Sequence, residues 1–333
     1  MQSNRDIVGL GLESSCDETA VSLVLNGNKI LSNVIFSQID LHRDYSGVVP
    51  EIASRAHLEV INDLIEKAIS EAGLTFQDIQ YVAATNRPGL VGSLLIALQS
   101  AKAISFALNI PLVALNHLEA HLYAPHLEGH PLRFPFLGLL ISGGNTALYR
   151  VRDIGNMDLL GKTLDDAVGE AYDKVAKFLD LGYPGGPIID KMAKQAKSTK
   201  LTLPKILSTA DSGYRFSYSG LKTAVITHYR ENPGVNIPDL LYSFQERALE
   251  ILIRRVFSAS QETGIRRIVV AGGVASNTRL REMLRQEIST DHELLIPSPI
   301  LCTDNAAMIA GLGYHYYSRG LFTDLTVDVK ARV

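Results

Sequence analysis

Apolar residues run almost unbroken from Ile7 to Leu12 and again from Ala20 to Leu25, and the polar stretch 13–19 (ESSCDET) lies between them. That pattern predicts strand, polar turn, strand. The same plan returns in PFLGLLISGGNTALYRVRDI: an apolar run with an internal glycine, a serine-containing turn, then Thr-Ala and a second apolar run. The second turn is two residues tighter and contains Gly143 and Gly144. Repetition on this scale predicts a duplication in which each copy opens a lobe. Helical periodicity fills much of the rest. EIASRAHLEVINDLIEKAISEAG carries apolar residues at helical spacing and closes on Gly73, and IQYVAATNRPGLVGSLLIALQSAKAISFALN reads as strand, Gly/Pro turn, helix. PLVALNH is a short buried strand feeding a helix that carries HLEAH. Further on, DDAVGEAYDKVAKFLDL is helical, YPGGP is a hard break, DLLYSFQERALEILIRRVFSASQETG is a long helix, and RRIVVAGGVASNTRLREMLRQEI is strand, glycine turn, helix. Strands alternating with helices give an α/β architecture.

A length of 333 residues favours two domains over one. The expected division is an N-terminal lobe, 1–130, with the HLEAH helix, and a C-terminal lobe, 131–310, with most of the glycine turns. A final helix at about 311–333 is expected to pack back on the first lobe. The formal net charge of -3 supplies no global field toward nucleic acid. An RNA substrate would therefore need a local basic surface or a partner. LIRRVF, GIRRIVV and Arg279, Arg281 and Arg285 give only scattered basic residues, which solvated helix faces explain. Two cysteines, Cys16 and Cys302, make no disulfide framework and suit a reducing compartment. There is no signal-peptide pattern, and no apolar stretch is expected to span a membrane. A soluble cytoplasmic protein is the expectation.

Three glycine turns stand out. ISGGNT joins two strands, VVAGGVASN joins a strand to a helix through Gly272 and Gly273, and GYPGGPIID sets Gly185 and Gly186 ahead of Asp190. Glycine lets main-chain N–H groups approach phosphate oxygens closely, and Asp190 could reach a ribose hydroxyl. Singly, each is an ordinary connection. Together they describe two phosphate-binding hairpins and an adenosine-binding turn across a cleft, the layout of actin-like ATPases and sugar kinases. No G-x-x-x-x-G-K-[ST] sequence occurs, so a P-loop is excluded.

His117 and His121 are four residues apart, about 40° around a helix, and project from one face. Glu119 lies about 200° from His117 and points away. In a zinc peptidase of the H-E-x-x-H type the glutamate directly follows the first histidine; here that residue is Leu118, so the peptidase base is missing. A hydrogen-bonded histidine pair explains the motif as well as a metal does, unless a third ligand joins. SPILCTDNAAMIAGLGYHYY offers Asp304, which could equally be a helix N-cap. Two histidines and a carboxylate would leave coordination positions open for substrate.

KAISFALNIPLVALNHLEAHLYA closely resembles the signature of the bacterial tRNA N6-adenosine threonylcarbamoyltransferases, the TsaD family, once labelled O-sialoglycoprotein endopeptidases. ESSCDET, SGVVPEIASRAH, PGLVGSLLIAL, LLISGGNT, LDDAVGEAYDKVAKFLDLGYPGGPIID, FSYSGLKTAV, VVAGGVASNTRLR and LCTDNAAMIA carry the same resemblance, in order, from residue 13 to residue 310. It implies an actin-like ATPase (ASKHA) fold, two duplicated RNase H-like lobes around an interlobe nucleotide cleft. It implies a divalent metal, Fe2+ or Zn2+, held by His117, His121 and Asp304. The implied nucleotide contacts are Leu140, Ile141, Ser142, Gly143, Gly144, Asp173, Gly186, Asp190 and Asn277. The implied reaction moves threonylcarbamoyl from threonylcarbamoyl-AMP to N6 of adenosine 37 in tRNAs reading ANN codons and releases AMP, with the metal as Lewis acid and donor anchor. The implied partners are tRNA, a shorter paralogue (TsaB-like) and a small ATPase (TsaE-like). The 58–73 helix is a candidate docking face, although a buried core face also explains it. The general base is unassigned; Asp17 and Glu18, in the first hairpin turn, are conceivable. Two departures occur: Arg87 replaces the usual glycine before Pro88-Gly89, and Ser46-Gly47 stands where the family often reads Gly-Gly. The rival readings are a small-molecule kinase of the actin-like fold, a noncatalytic scaffold paralogue and a metallopeptidase.

Overall fold

A computed structural model describes residues 6–45, 47–204 and 213–332. Ser46 lies outside the described residues, so the departure there has no structural account. The chain divides into two compact units, Met1–Leu132 with Thr303–Val333, and Arg133–Cys302. The return to the first unit thus begins earlier in the chain than the expected residue 311.

The first unit is built on a five-stranded sheet of order β3-β2-β1-β4-β5. Its strands are β1 (Val8–Glu13), β2 (Glu18–Leu25), β3 (Lys29–Ser37), β4 (Tyr81–Arg87) and β5 (Leu112–Asn116). β1 runs antiparallel to β2 and parallel to β4, with Leu12 opposite Val21 on one side and Ala84 on the other. Its helices are α1 (Ile39–His42), α2 (Pro50–Glu71), α3 (Val91–Leu108) and α4 (His117–Tyr123). All six residues of β1 are buried, as a central strand covered on both faces requires. Leu10 and Leu12 join Ile61 and Ile65 of α2 and Leu98 of α3 in one core. The alternate residue Gly11 faces the last helix, where a Cβ would lie 2.4 Å from the Ala306 carbonyl oxygen. The internal glycine of the apolar run therefore admits a helix backbone.

One expectation needs correction. α3 is long and apolar enough, by length and composition, to cross a membrane. Its Leu94, Ala97, Leu98 and Ala101 are fully buried, so this is the apolarity of a core helix rather than of a membrane span.

The second unit repeats the plan with β6 (Phe136–Ile141), β7 (Thr146–Asp153), β8 (Asn156–Lys162), β9 (Arg267–Ala271) and β10 (Glu293–Leu295), in the order β10-β9-β6-β7-β8. β6 is antiparallel to β7 and parallel to β9, as β1 is to β2 and β4. Its helices are α5 (Val168–Phe178), α6 (Gly185–Ala193), α7 (Ser219–Glu231), α8 (Ile237–Thr263), α9 (Thr278–Glu287) and α10 (Pro299–Cys302). The core gathers Leu137, Leu139 and Ile141 of β6 with Tyr172 and Phe244, whose rings meet edge to face at 4.9 Å. The chain then re-enters the first unit as α11 (Ala306–Ser318), which packs on β1, β2 and β4.

Candidate metal centre and nucleotide turns

In the first unit, chemistry gathers where β1, β4 and β5 end. Glu13, the last residue of β1, is fully buried. Its Oε1 accepts the Ser15 backbone N–H at 2.6 Å, and its Oε2 accepts the Thr85 hydroxyl from the neighbouring strand. The same Oε2 lies 3.0 Å from Nδ1 of His117. β5 stops one residue before that histidine, and Asn116 caps the new helix by accepting the Leu118 N–H at 2.8 Å. His117 thus opens α4, and His121 follows one turn later on the same face. Their Nε2 atoms are 3.1 Å apart, and Asp304 Oδ1 lies 2.9 Å from His121 Nε2 and 3.4 Å from His117 Nε2. Asp304 is not the cap of α11. Asn305 takes that duty by accepting the Met308 N–H at 3.0 Å, which leaves Asp304 turned to the histidines.

These three atoms suit a cation. Donors about 2.1 Å from an ion lie about 3.0 Å apart at right-angle coordination and about 3.4 Å apart at tetrahedral angles, and the observed separations span that interval. Burial would push the Glu13 and Asp304 carboxyls up, but the facing imidazoles outweigh it and hold both below the ordinary carboxylate range. Burial would likewise lower His117, yet Glu13 and Asp304 raise it well above the usual histidine value. The pocket therefore stabilises positive charge at its centre. Glu119 points elsewhere and accepts the Tyr316 hydroxyl at 2.9 Å.

The Asp17 and Glu18 turn is tied down by His57. Its Nε2 meets the Cys16 carbonyl at 3.0 Å, and its Nδ1 meets the Thr19 hydroxyl at 2.7 Å. Burial, then Asp304 and Asp17, push Glu18 up to about 9. Arg87 closes β4 beside a register shift against β5, its guanidinium 3.1 Å from Asn86 Oδ1.

In the second unit, Leu140 and Ile141 end β6 and the turn 142–145 follows. The Ser142 N–H reaches the Asn145 carbonyl at 2.8 Å, and the Asn145 N–H returns to Ser142 Oγ at 3.1 Å. Gly143 and Gly144 stand exposed at the tip with open space beside them. Gly272 brings the β9 turn against this strand: its φ is +93°, and a Cβ there would lie 2.4 Å from the Ile141 carbonyl oxygen. Asn277 caps α9 through the Leu280 N–H at 2.8 Å and donates to Gln245 at 2.9 Å. Asp190 accepts the Thr278 hydroxyl at 2.8 Å, and Asp173 accepts the Gly185 N–H at 2.7 Å; the adjacent Gly186 is open. The sequence-predicted residues Asp173, Asp190 and Asn277 thus have structural duties at helix starts.

The sequence profile described as "TsaD: tRNA N6-adenosine threonylcarbamoyltransferase" matches residues 29–311. A tRNA N6-adenosine threonylcarbamoyltransferase of Treponema denticola is 49% identical over 97% of this chain and 96% of that protein. One of Staphylococcus aureus is 46% identical over 99% and 97%. The chain belongs to the TsaD family.

As a TsaD-family threonylcarbamoyltransferase, it acts in the threonylcarbamoyladenosine modification of tRNA, and tRNA is its substrate. That reading is favoured over a small-molecule kinase and a scaffold. The solved structures bear on the fold alone. Component A of the (R)-2-hydroxyglutaryl-CoA dehydratase of Acidaminococcus fermentans superposes with a TM-score of 0.57 at 16% identity, covering 94% of this chain and 99% of that one. HypF of T. kodakarensis gives 0.65 at 13% identity, over 94% of this chain and 48% of that one. The TsaD-family chain has the actin-like ATPase fold, as its two matching sheets require. One site residue escaped the sequence reading: Glu13. Its signal was a carboxylate closing an otherwise wholly apolar strand, VGLGLE.

Proposed function

We propose that this TsaD-family chain uses threonylcarbamoyl-AMP as donor and adenosine 37 of ANN-reading tRNAs as acceptor, with one divalent metal, Fe2+ or Zn2+, held by His117 Nε2, His121 Nε2 and Asp304 Oδ1. The observation that carries the proposal is the convergence of those three atoms within 3.4 Å of one another. Imidazole and carboxylate accept either ion. When bound, the metal supplies a Lewis acid that polarises the donor and offsets negative charge developing during transfer. N6 of the adenosine attacks the carbamoyl carbonyl carbon, the carbonyl–phosphate oxygen bond breaks, and AMP leaves with that electron pair. The N6 proton must pass to a base. Asp17 and Glu18 are the carboxylates of the first hairpin turn that could take it.

The main-chain groups of Leu140, Ile141, Ser142, Gly143 and Gly144 bind the adenylate phosphate, where no side chain at either glycine obstructs approach. Asp173, Gly186, Asp190 and Asn277 bind its nucleoside, and the bonds of the three polar side chains to helix starts hold them ready in one orientation. Several arginines that a tRNA backbone would need are engaged internally. Arg279 pairs with Glu246 at 2.5 Å, Arg267 with Glu293 at 2.6 Å, and Arg281 donates to the Ala275 and Pro297 carbonyls. This supports reliance on a TsaB-like paralogue and a TsaE-like ATPase in the cytoplasm, where tRNA is modified. Nucleoside mass spectrometry on tRNA from cells whose only copy carries His117→Ala and His121→Ala tests the reading, with depletion if the gene is essential. Threonylcarbamoyladenosine should vanish at normal protein levels; an unchanged content overturns the proposal.

A further inference from the structure

We propose that Glu13 is a positioning residue of the metal centre: its carboxylate takes the Nδ1–H of His117 and thereby presents the His117 Nε2 lone pair toward His121 and Asp304. The inference rests on the metal reading above and adds to it the group that selects the tautomer of one ligand.

A carboxylate buried at the end of an apolar strand is costly, and an apolar residue there would serve the core better. Its hydrogen bonds show what it does instead. Three donors converge on it: the Ser15 N–H on Oε1, and the Thr85 hydroxyl and His117 Nδ1 on Oε2. An ionised carboxylate can only accept, so the proton between Glu13 and His117 sits on Nδ1. With that proton held on Nδ1, Nε2 is the nitrogen left for the metal, which takes the place of any proton there. A competitor is close by. Ser15 Oγ is 3.2 Å from the same Nδ1, and a hydroxyl can donate as well as accept. If Ser15 donated, the proton would move to Nε2 and block the ligand. The paired ligand has no equivalent support, because His121 Nδ1 finds no hydrogen-bond partner among the described residues. The orientation of the pair is therefore set through His117.

The isosteric change Glu13→Gln makes a sharp test. The Ser15 N–H is a fixed main-chain donor and requires an oxygen at the Oε1 position. The amide NH2 must then occupy the Oε2 position, where it donates to His117 Nδ1 and drives the proton to Nε2. Thr85→Val removes a neighbouring hydrogen bond to the same oxygen but leaves the Glu13–His117 contact, so it reports a merely structural loss. Zn2+ affinity of the purified full chain is measured by competition with a chromophoric chelator. Glu13→Gln should bind zinc about 10–100-fold more weakly than wild type, while Thr85→Val stays within about threefold of it.

Equal affinity in wild type and Glu13→Gln overturns the positioning role and leaves the metal reading standing. A wild-type chain that binds no zinc overturns both. Should Glu13→Gln fail to fold, 15N NMR of the zinc-loaded wild type decides the matter. The expected signature is His117 coordinated through Nε2 with a protonated Nδ1; coordination through Nδ1 refutes the proposal.

Discussion

Gly272 and Gly273 are adjacent and chemically identical, yet alanine at the two positions should behave very differently. Gly272 holds φ +93° and ψ 163°, a region that essentially only glycine occupies. Placing alanine there costs about 1–3 kcal/mol in backbone strain alone. A new Cβ would also lie 2.4 Å from the Ile141 carbonyl oxygen and 2.9 Å from its carbon. Those are backbone atoms at the end of a paired strand, so they cannot swing aside as a side chain would. Overpacking of that kind adds about 1–3 kcal/mol. The total for Gly272→Ala is about 2–6 kcal/mol. For a domain of this size, that lowers the melting temperature by roughly 4–24 °C. At Gly273 a Cβ meets nothing within 4 Å, so Gly273→Ala should shift stability by no more than about 0.5 kcal/mol. Scanning calorimetry of the two variants beside wild type reads the difference. If they melt within about 2 °C of each other, the close approach between the β9 turn and β6 does not govern the stability of this unit, and the reasoning fails.

A bound cation should stabilise the first unit: at free metal one hundred times Kd the gain is about 2.7 kcal/mol, or roughly 5–11 °C in Tm. Differential scanning fluorimetry with Zn2+ against excess chelator should show that gap in wild type and lose it in His121→Ala; a wild-type Tm indifferent to chelation contradicts the metal centre. Burial, then Arg319 and His126, lower His315 to about 4 from an unfolded value of about 6.5, so the unfolded chain binds the extra proton in between. Stability from this group is complete above about 6.5 and is lost as pH falls through about 4, by no more than about 3 kcal/mol. Urea midpoints from pH 4 to 7 should flatten in His315→Gln, and an unchanged slope removes His315 from the account.

How much of this was legible in the sequence depended on what each element faces. The central strands were plain because burial on both faces leaves an unbroken apolar run, as in VGLGLE and FLGLLI. The third strand of each sheet was not. β3 and β8 lie at sheet edges, and β8 (NMDLLGK) alternates too weakly to separate it from a loop. YPGGP was read as a break; the structure starts α6 at its first glycine, since Asp173 accepts the Gly185 N–H and supplies the missing start signal from another helix. The histidine spacing put both rings on one face, but spacing could not bring in Asp304, which lies 183 positions from His121; the turn before a helix offered it as a candidate that could equally be a cap, and the resemblance named it a ligand. Glu13 was hidden for a different reason. Its meaning depends on Thr85 and His117, neither of them near it in sequence, and a terminal glutamate on a strand looks like the first solvated residue of a turn.

The duplication itself explains why the two units carry different chemistry at one topological corner. In the first sheet Leu12 pairs with Ala84, so the next positions are Glu13 and Thr85. In the second sheet Leu140 pairs with Ala271, so the next positions are Ile141 and Gly272. The corresponding pairs meet in both units, one as a hydroxyl donated to a buried carboxylate, the other as a glycine pressed on a carbonyl. The turn that follows differs accordingly. Glu13 closes on Ala20, with residues 14–19 between, whereas Ile141 closes on Thr146, with only residues 142–145 between. The longer turn leaves room for the Ser15 N–H to bend back on Glu13 and for Asp17 and Glu18 beyond it. The shorter one bares two glycine N–H groups. Under the proposed function the carboxylate supports an imidazole ligand of the cation, and the glycine turn offers backbone N–H groups to the adenylate phosphate. One strand order, repeated, thus carries different residues at both corner positions, Glu13 and Thr85 in the first unit, Ile141 and Gly272 in the second.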